Sequence, residues 1–179
     1  MVRTFVAIDL PEDIRERARG SLEVLKRSEG RLAVVDPGNL HITVKFLGEV
    51  DPALIEPIVA ALGGVRVDPF DLTVGHPVCN PPKRPRVVWC DVADAGESAS
   101  LARQMDDLLA PLGFPREKRP FRPHVTLARV KEFHPSLADG VACLSPEPLG
   151  RCRVESIRLK KSTLTPRGSV YEDLAEVPL

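Results

Sequence analysis

Two segments of this chain repeat one alternating pattern, His41-Ile42-Thr43-Val44 and His124-Val125-Thr126-Leu127. Polar and apolar residues alternating with a period of two are the mark of a strand with one covered face. On such a strand His41 and Thr43 share one face, and Ile42 and Val44 share the other. The second segment divides in the same way. Only four histidines and six threonines occur in the chain. A given histidine has about a 1 in 30 chance of a threonine two positions on, so chance is a poor account of two such pairs. The histidines stand 83 residues apart in a chain of 179. That spacing, near half the length, predicts an internal duplication of one unit.

The rest of the chain fits a duplicated α+β unit. Residues 3–10 form an apolar, β-branched run that reads as a strand. Pro11, Glu12 and Asp13 then open a helix, with acids in its first turn, and Ile14, Ala18, Leu22 and Leu25 follow at helical spacing. Helices are also expected over 52–62 and 97–109. Further strands are expected over 32–35, 40–47, 70–74, 87–92, 125–130, 153–159 and 169–177. Gly48 closes the first histidine strand, and turns fall at 36–39 and 165–168. No low-complexity linker separates the halves. The expectation is one bilobal domain over 1–179, built of two pseudo-symmetric lobes. Each lobe has an antiparallel sheet and flanking helices, with an active-site cleft between them.

Lysine plus arginine and aspartate plus glutamate balance at 25 each. Zero net charge disfavours a protein that coats nucleic acid, although a grip on a strand end needs only a local basic patch. Two such patches stand out, Lys83-Arg84-Pro85-Arg86 and the run holding Arg116, Lys118, Arg119 and Arg122. They read either as solvated surface loops or as holds for phosphate groups. The four cysteines form no Cys-x-x-Cys pair. With no signal-peptide start and no apolar run approaching 18 residues, a cytoplasmic protein with reduced thiols and no membrane attachment is expected. No ligand spacing supports zinc, and no Gly-rich phosphate loop supports ATP chemistry. His76 and His134 each precede a proline and lack the threonine, so they read as loop residues without a catalytic part.

The motifs resemble the signature of the 2H phosphoesterase superfamily, named for two His-x-Thr-x segments. The likeness extends beyond them. The segment 3–10 is similar to that family's opening strand. Asn39-Leu40-His41-Ile42-Thr43-Val44-Lys45-Phe46-Leu47-Gly48 resembles its first motif block. Arg119-Pro120-Phe121-Arg122-Pro123-His124-Val125-Thr126-Leu127-Ala128-Arg129 resembles the second, and the tail 161–171 its closing segment. The resemblance points to the RNA 2′,3′-cyclic phosphodiesterase branch, also called 2′-5′ RNA ligase.

That resemblance implies opening of a 2′,3′-cyclic phosphate to a 2′-phosphate, with reversible 2′-5′ RNA ligation. It implies no metal or other cofactor, and a monomer. The partners implied are RNA ends carrying the cyclic phosphate, tRNA-derived ends among them, or small cyclic nucleotides. Water must be activated on one side of phosphorus and the leaving ribose oxygen protonated on the other, and histidine does both near neutral pH. By the resemblance His41 is the proton donor and His124 the acceptor; the residues alone leave that order open. Thr43 and Thr126 would donate to the non-bridging oxygens. Secondary candidates for substrate contact are Arg122, Arg129, Phe121 and Tyr171. Arg129 falls on the far face if its strand stays regular, and Phe121 reads first as core. Three rival readings remain at this point: a small-cyclic-nucleotide enzyme of the same superfamily, a binding module that has lost catalysis, and a metal phosphodiesterase.

Overall fold

A computed structural model describes residues 1–166 and 168–179 of the chain. Among the described residues nine strands and four α-helices follow one another. β1 (Val2–Asp9) leads through α1 (Glu12–Lys26) to the short β2 (Arg31–Val34) and to β3 (His41–Val50). α2 (Ile55–Leu62) precedes β4 (Phe70–Asn80) and β5 (Val87–Ala93). α3 (Glu97–Leu109) comes before β6 (His124–Glu132) and α4 (Ser136–Ala142). β7 (Gly150–Val154), β8 (Ser156–Thr165) and β9 (Gly168–Pro178) complete the chain. No described helix is long and apolar enough to cross a membrane.

The strands pair antiparallel in the order β7-β4-β5-β6-β3-β1-β8-β9, with β2 added to β6. The ladder is therefore continuous, but its two halves meet at a single registered pair, Ile42 with Val125. Both side chains are fully buried. The two halves have matching connections. β1 pairs with β3 as β5 pairs with β6, and β8 flanks β1 as β4 flanks β5.

Helices cross between the halves. α1 follows β1 yet packs on β2, β6 and β7, whereas α3 follows β5 and packs on β3. α1 does so with the stripe Ile14, Ala18, Leu22 and Leu25, all buried. α3 uses Leu101, Met105 and Leu109 in the same way. One continuous apolar core results, running through both halves.

Several expected boundaries shift for identifiable reasons. β3 does not stop at Gly48: Leu47 is an extra residue between the pairs Phe5–Phe46 and Thr4–Gly48, and Gly48 takes φ +77 to step past it. The expected helix over 52–62 is a 3-10 turn, Pro52–Leu54, leading into α2. The turn at 36–39 is a 3-10 turn that Asp36 caps through the Gly38 amide. The strand expected over 153–159 is two strands, β7 and β8, that lie toward opposite ends of the sheet. α4 carries one buried apolar residue, Leu137, too little for a helical period to show. His76 is no loop residue: it sits in β4, at the irregularity between Val74 and Pro77. Arg167 of the expected 165–168 turn lies outside the described residues.

Candidate active site

The Ile42–Val125 pair is what assembles the two motifs. In an antiparallel register, pairing these two residues sets Thr43 across from His124 and His41 across from Thr126. Alternation sends Ile42 and Val125 into the core and leaves the four polar side chains on the opposite face, all half-buried.

Each imidazole is oriented by its own strand's lead-in. His41 Nδ1 lies 2.7 Å from the Asn39 carbonyl, and His124 Nδ1 lies 2.9 Å from the Arg122 carbonyl. A carbonyl only accepts, so in both rings Nδ1 carries the proton and Nε2 is the working nitrogen. His41 Nε2 is 2.9 Å from Thr43 Oγ1. Asn39 is itself held by a 2.8 Å bond from its side-chain amide to the Ser169 carbonyl, which ties the β8–β9 hairpin to the histidine.

Aromatic rings wall both histidines. Phe5 lies 5.0 Å from His41, and Tyr171 stands edge-on to it at 5.3 Å. Trp89 stacks obliquely on His124 with centroids 4.4 Å apart. Burial among these groups pushes the His41 imidazole below its ordinary value, against the Asn39 bond and the Asp9 charge, which act to raise it.

Aspartates sit beside both histidines: Asp9 is the cross-strand partner of His41 and Asp91 that of His124. Asp9 belongs to an ion-pair group with Lys160 at 3.0 Å and Arg158 at 3.2 Å. Asp91 holds Arg122 at 3.0 Å. Sequence reasoning missed both carboxylates, together with Phe5 and Trp89. A signal was present, because β1 and β5 share a Val-x-x-Asp segment, Val6-Ala7-Ile8-Asp9 and Val88-Trp89-Cys90-Asp91.

The secondary candidates divide. Arg122 lies against the Trp89 ring, 5.2 Å from its centroid, at the wall of a cavity of about 780 Å³. Thr43, Phe46, Trp89, Phe121 and His124 also line that cavity, with Arg103, Lys118 and Arg119 among its other lining residues. His41, Thr126, Tyr171 and Arg129 are not part of its wall. Phe121 both lines the cavity and packs on the core. Lys83, Arg84 and Arg86 do not line it.

Arg129 corrects the expectation of a regular strand. Trp89 pairs with Thr126 but Val88 with Ala128, so Leu127 is an extra residue and both Leu127 and Ala128 face the core. The bulge returns Arg129 to the face of Thr126, where it is exposed. β3 bulges at the matching place, with Val44 and Lys45 both buried. His134 bonds Ser136 Oγ at 3.0 Å, lies 3.8 Å from Glu29 and does not line the cavity. Among the described residues no group of three or more His, Cys, Asp or Glu is arranged to hold a metal ion.

The chain resembles known proteins along nearly its whole length. The model of the family described as LigT like Phosphoesterase matches residues 8–89 and 92–171. The RNA 2′,3′-cyclic phosphodiesterase of Archaeoglobus fulgidus is 41% identical over 174 residues, covering 97% of this chain and 98% of that one. The protein of the same name from Thermotoga maritima is 33% identical over 178 residues, covering 98% and 94%. Among solved structures, the protein TT0787 of Thermus thermophilus superposes with a TM-score of 0.82 at 29% identity, covering 99% of this chain and 97% of that one. Escherichia coli LigT complexed with 3′-AMP gives 0.80 at 27% identity, covering 99% and 98%. With both His-x-Thr-x motifs brought to one face of the same fold, the chain belongs to the LigT like phosphoesterase family, within the 2H phosphoesterases.

Proposed function

We propose that this protein hydrolyses RNA 2′,3′-cyclic phosphate ends to 2′-phosphates, with two histidines and no metal. The observation that carries the reading is the Ile42–Val125 register, which sets one His-Thr pair antiparallel to the other with each Nδ1 tied to a carbonyl. The relatives named for this activity lend it their weight.

In the proposed step water attacks phosphorus and passes a proton to His124 Nε2. The P–O3′ bond breaks, and O3′ takes a proton from His41 Nε2. Thr43 and Thr126 donate to the non-bridging oxygens as charge gathers on them. Burial leaves His41 neutral in the free protein near pH 7, so it gains its proton together with the anionic substrate, whose charge favours imidazolium. When a 5′-hydroxyl takes the place of water, the same breaking of the P–O3′ bond leaves a 2′-5′ phosphodiester. Water is far more abundant than strand ends, so hydrolysis dominates.

The single domain over 1–179, its origin by duplication, the monomeric state and a cytoplasmic setting belong to the same proposal. The matching strand connections of the two halves support the duplication. The four cysteines are free thiols, which suits a reducing compartment.

The test is turnover of an RNA oligonucleotide ending in a 2′,3′-cyclic phosphate, with excess EDTA. His41→Ala and His124→Ala each lower kcat by about 10²–10⁴. Loss of turnover on chelation defeats the metal-free reading. The order of the two histidines is read with an activated diester whose leaving group needs no proton. There His41→Ala recovers most of its activity and His124→Ala does not; the opposite pattern reverses the roles.

A further inference from the structure

Lys45 is nearly wholly buried, with 3% of its side chain exposed. Its Nζ meets Asp106 Oδ1 at 2.5 Å and the Pro115 carbonyl at 2.8 Å. The other Asp106 oxygen accepts from the Glu117 amide at 2.9 Å. A buried ion pair carries a desolvation cost that an apolar pair avoids, so it is weak as a stability device. Nor does the bulge require a lysine there. At the matching place in the other half stands Ala128, buried without any charge.

The two halves differ in the loop this pair touches. Residues 35–40 reach His41 in a short span, half of it a 3-10 turn capped by Asp36. Residues 113–123 reach His124 as a longer run without regular structure. A long irregular loop inside a compact fold needs tethers or is mobile. This loop is held at both ends. Its distal end is held by Asp91 on Arg122 and by the Pro123 carbonyl accepting from the Val92 amide. Its proximal end is held by the buried Lys45 and its partner Asp106, with the exposed pair Arg116–Asp107 and the Phe114 amide on the Leu109 carbonyl beside them. Between the tethers lie Lys118 and Arg119, cations on the cavity wall.

We propose that Lys45 and Asp106 are positioning residues: they preset the proximal part of the 113–123 loop so that Lys118 and Arg119 grip the RNA strand beyond the cyclic phosphate. This rests on the RNA reading above. Because the catalytic end has its own tether, releasing the clamp weakens substrate binding and spares the chemistry.

The experiment compares Lys45→Met with the parent on a pentanucleotide ending in a 2′,3′-cyclic phosphate and on adenosine 2′,3′-cyclic phosphate. KM for the pentanucleotide rises about tenfold, because two long cationic side chains must be ordered on binding. Its kcat, and both constants for the mononucleotide, stay within about threefold. Amide exchange over 113–119 speeds up while that of β6 does not. Lys45→Arg, which keeps the charge and the donors, restores most of the KM. If Lys45→Met folds poorly, Lys45→Met/Asp106→Leu removes the tether without stranding a buried carboxylate and shows the same KM rise. Equal losses on both substrates, or a loss in kcat alone, overturn the proposal. If the parent turns over neither substrate, the RNA reading fails by itself; unchanged exchange over 113–119 in Lys45→Met then overturns the clamp, and faster exchange upholds it.

Discussion

At the scale of single residues, the two imidazoles share a tautomer but not an environment. His41 is boxed by Phe5 and Tyr171, and His124 has Trp89 along one side. Burial lowers the His41 value, so a proton NMR titration of its ring gives a midpoint below the ordinary value of about 6.5. A midpoint above that value contradicts the burial argument. The sign for stability follows. Below about pH 6.5 the unfolded chain takes a proton at His41 that the folded chain refuses. This contribution is therefore fully present above pH 6.5 and is lost as pH falls toward the folded value. Urea unfolding of the parent and of His41→Gln, at pH 7.5 and 5.5, reads it. The parent loses more stability on acidification, and the reverse ordering defeats the account. That His41 shares a face with Thr43, and His124 with Thr126, was legible in the sequence because a period of two names the shared face. That Asp9 and Asp91 stand beside the histidines was not, because a cross-strand partner is set by register.

At the scale of elements, the decisive object is the junction of β3 and β6. Among the described residues Ile42 and Val125 are the one pair in register there. Ile42→Ala leaves a cavity at the one place where the half-sheets touch, and it costs about 2–5 kcal/mol in urea unfolding, while Ile42→Val costs about 0.5–1.5. The Ala variant also loses activity beyond the effect of stability, because Thr43 and His124 share that register. An Ile42→Ala protein of parental stability and rate removes the junction from the argument. The bulges matter at the same scale. An extra residue at the end of each motif, Val44 and Leu127, turns Lys45 into the core and Arg129 out to the motif face. Strict alternation predicts neither, so Arg129 was expected on the wrong face. The helices were legible where an apolar stripe of three or four residues recurs, as in α1 and α3. α4, with one buried leucine, offers no period to read.

At the scale of the whole molecule, the crossing of α1 and α3 makes each half's core depend on the other's helix. Unfolding is therefore expected as one transition, with calorimetric and van't Hoff enthalpies in agreement. Two resolved transitions, one per half, exclude that interlocking. The sequence by itself determined most of the strand and helix content and the doubled His-Thr pattern, and hence the candidate reacting groups, because all of these depend on spacing along a single chain. Only the tertiary structure decided which residues share a face after each bulge and which carboxylate stands beside each histidine. It also decided that a lysine on β3 holds the loop before His124. Those facts come from pairing between segments far apart in the chain, where the register is set by burying Ile42 against Val125 and not by any local preference.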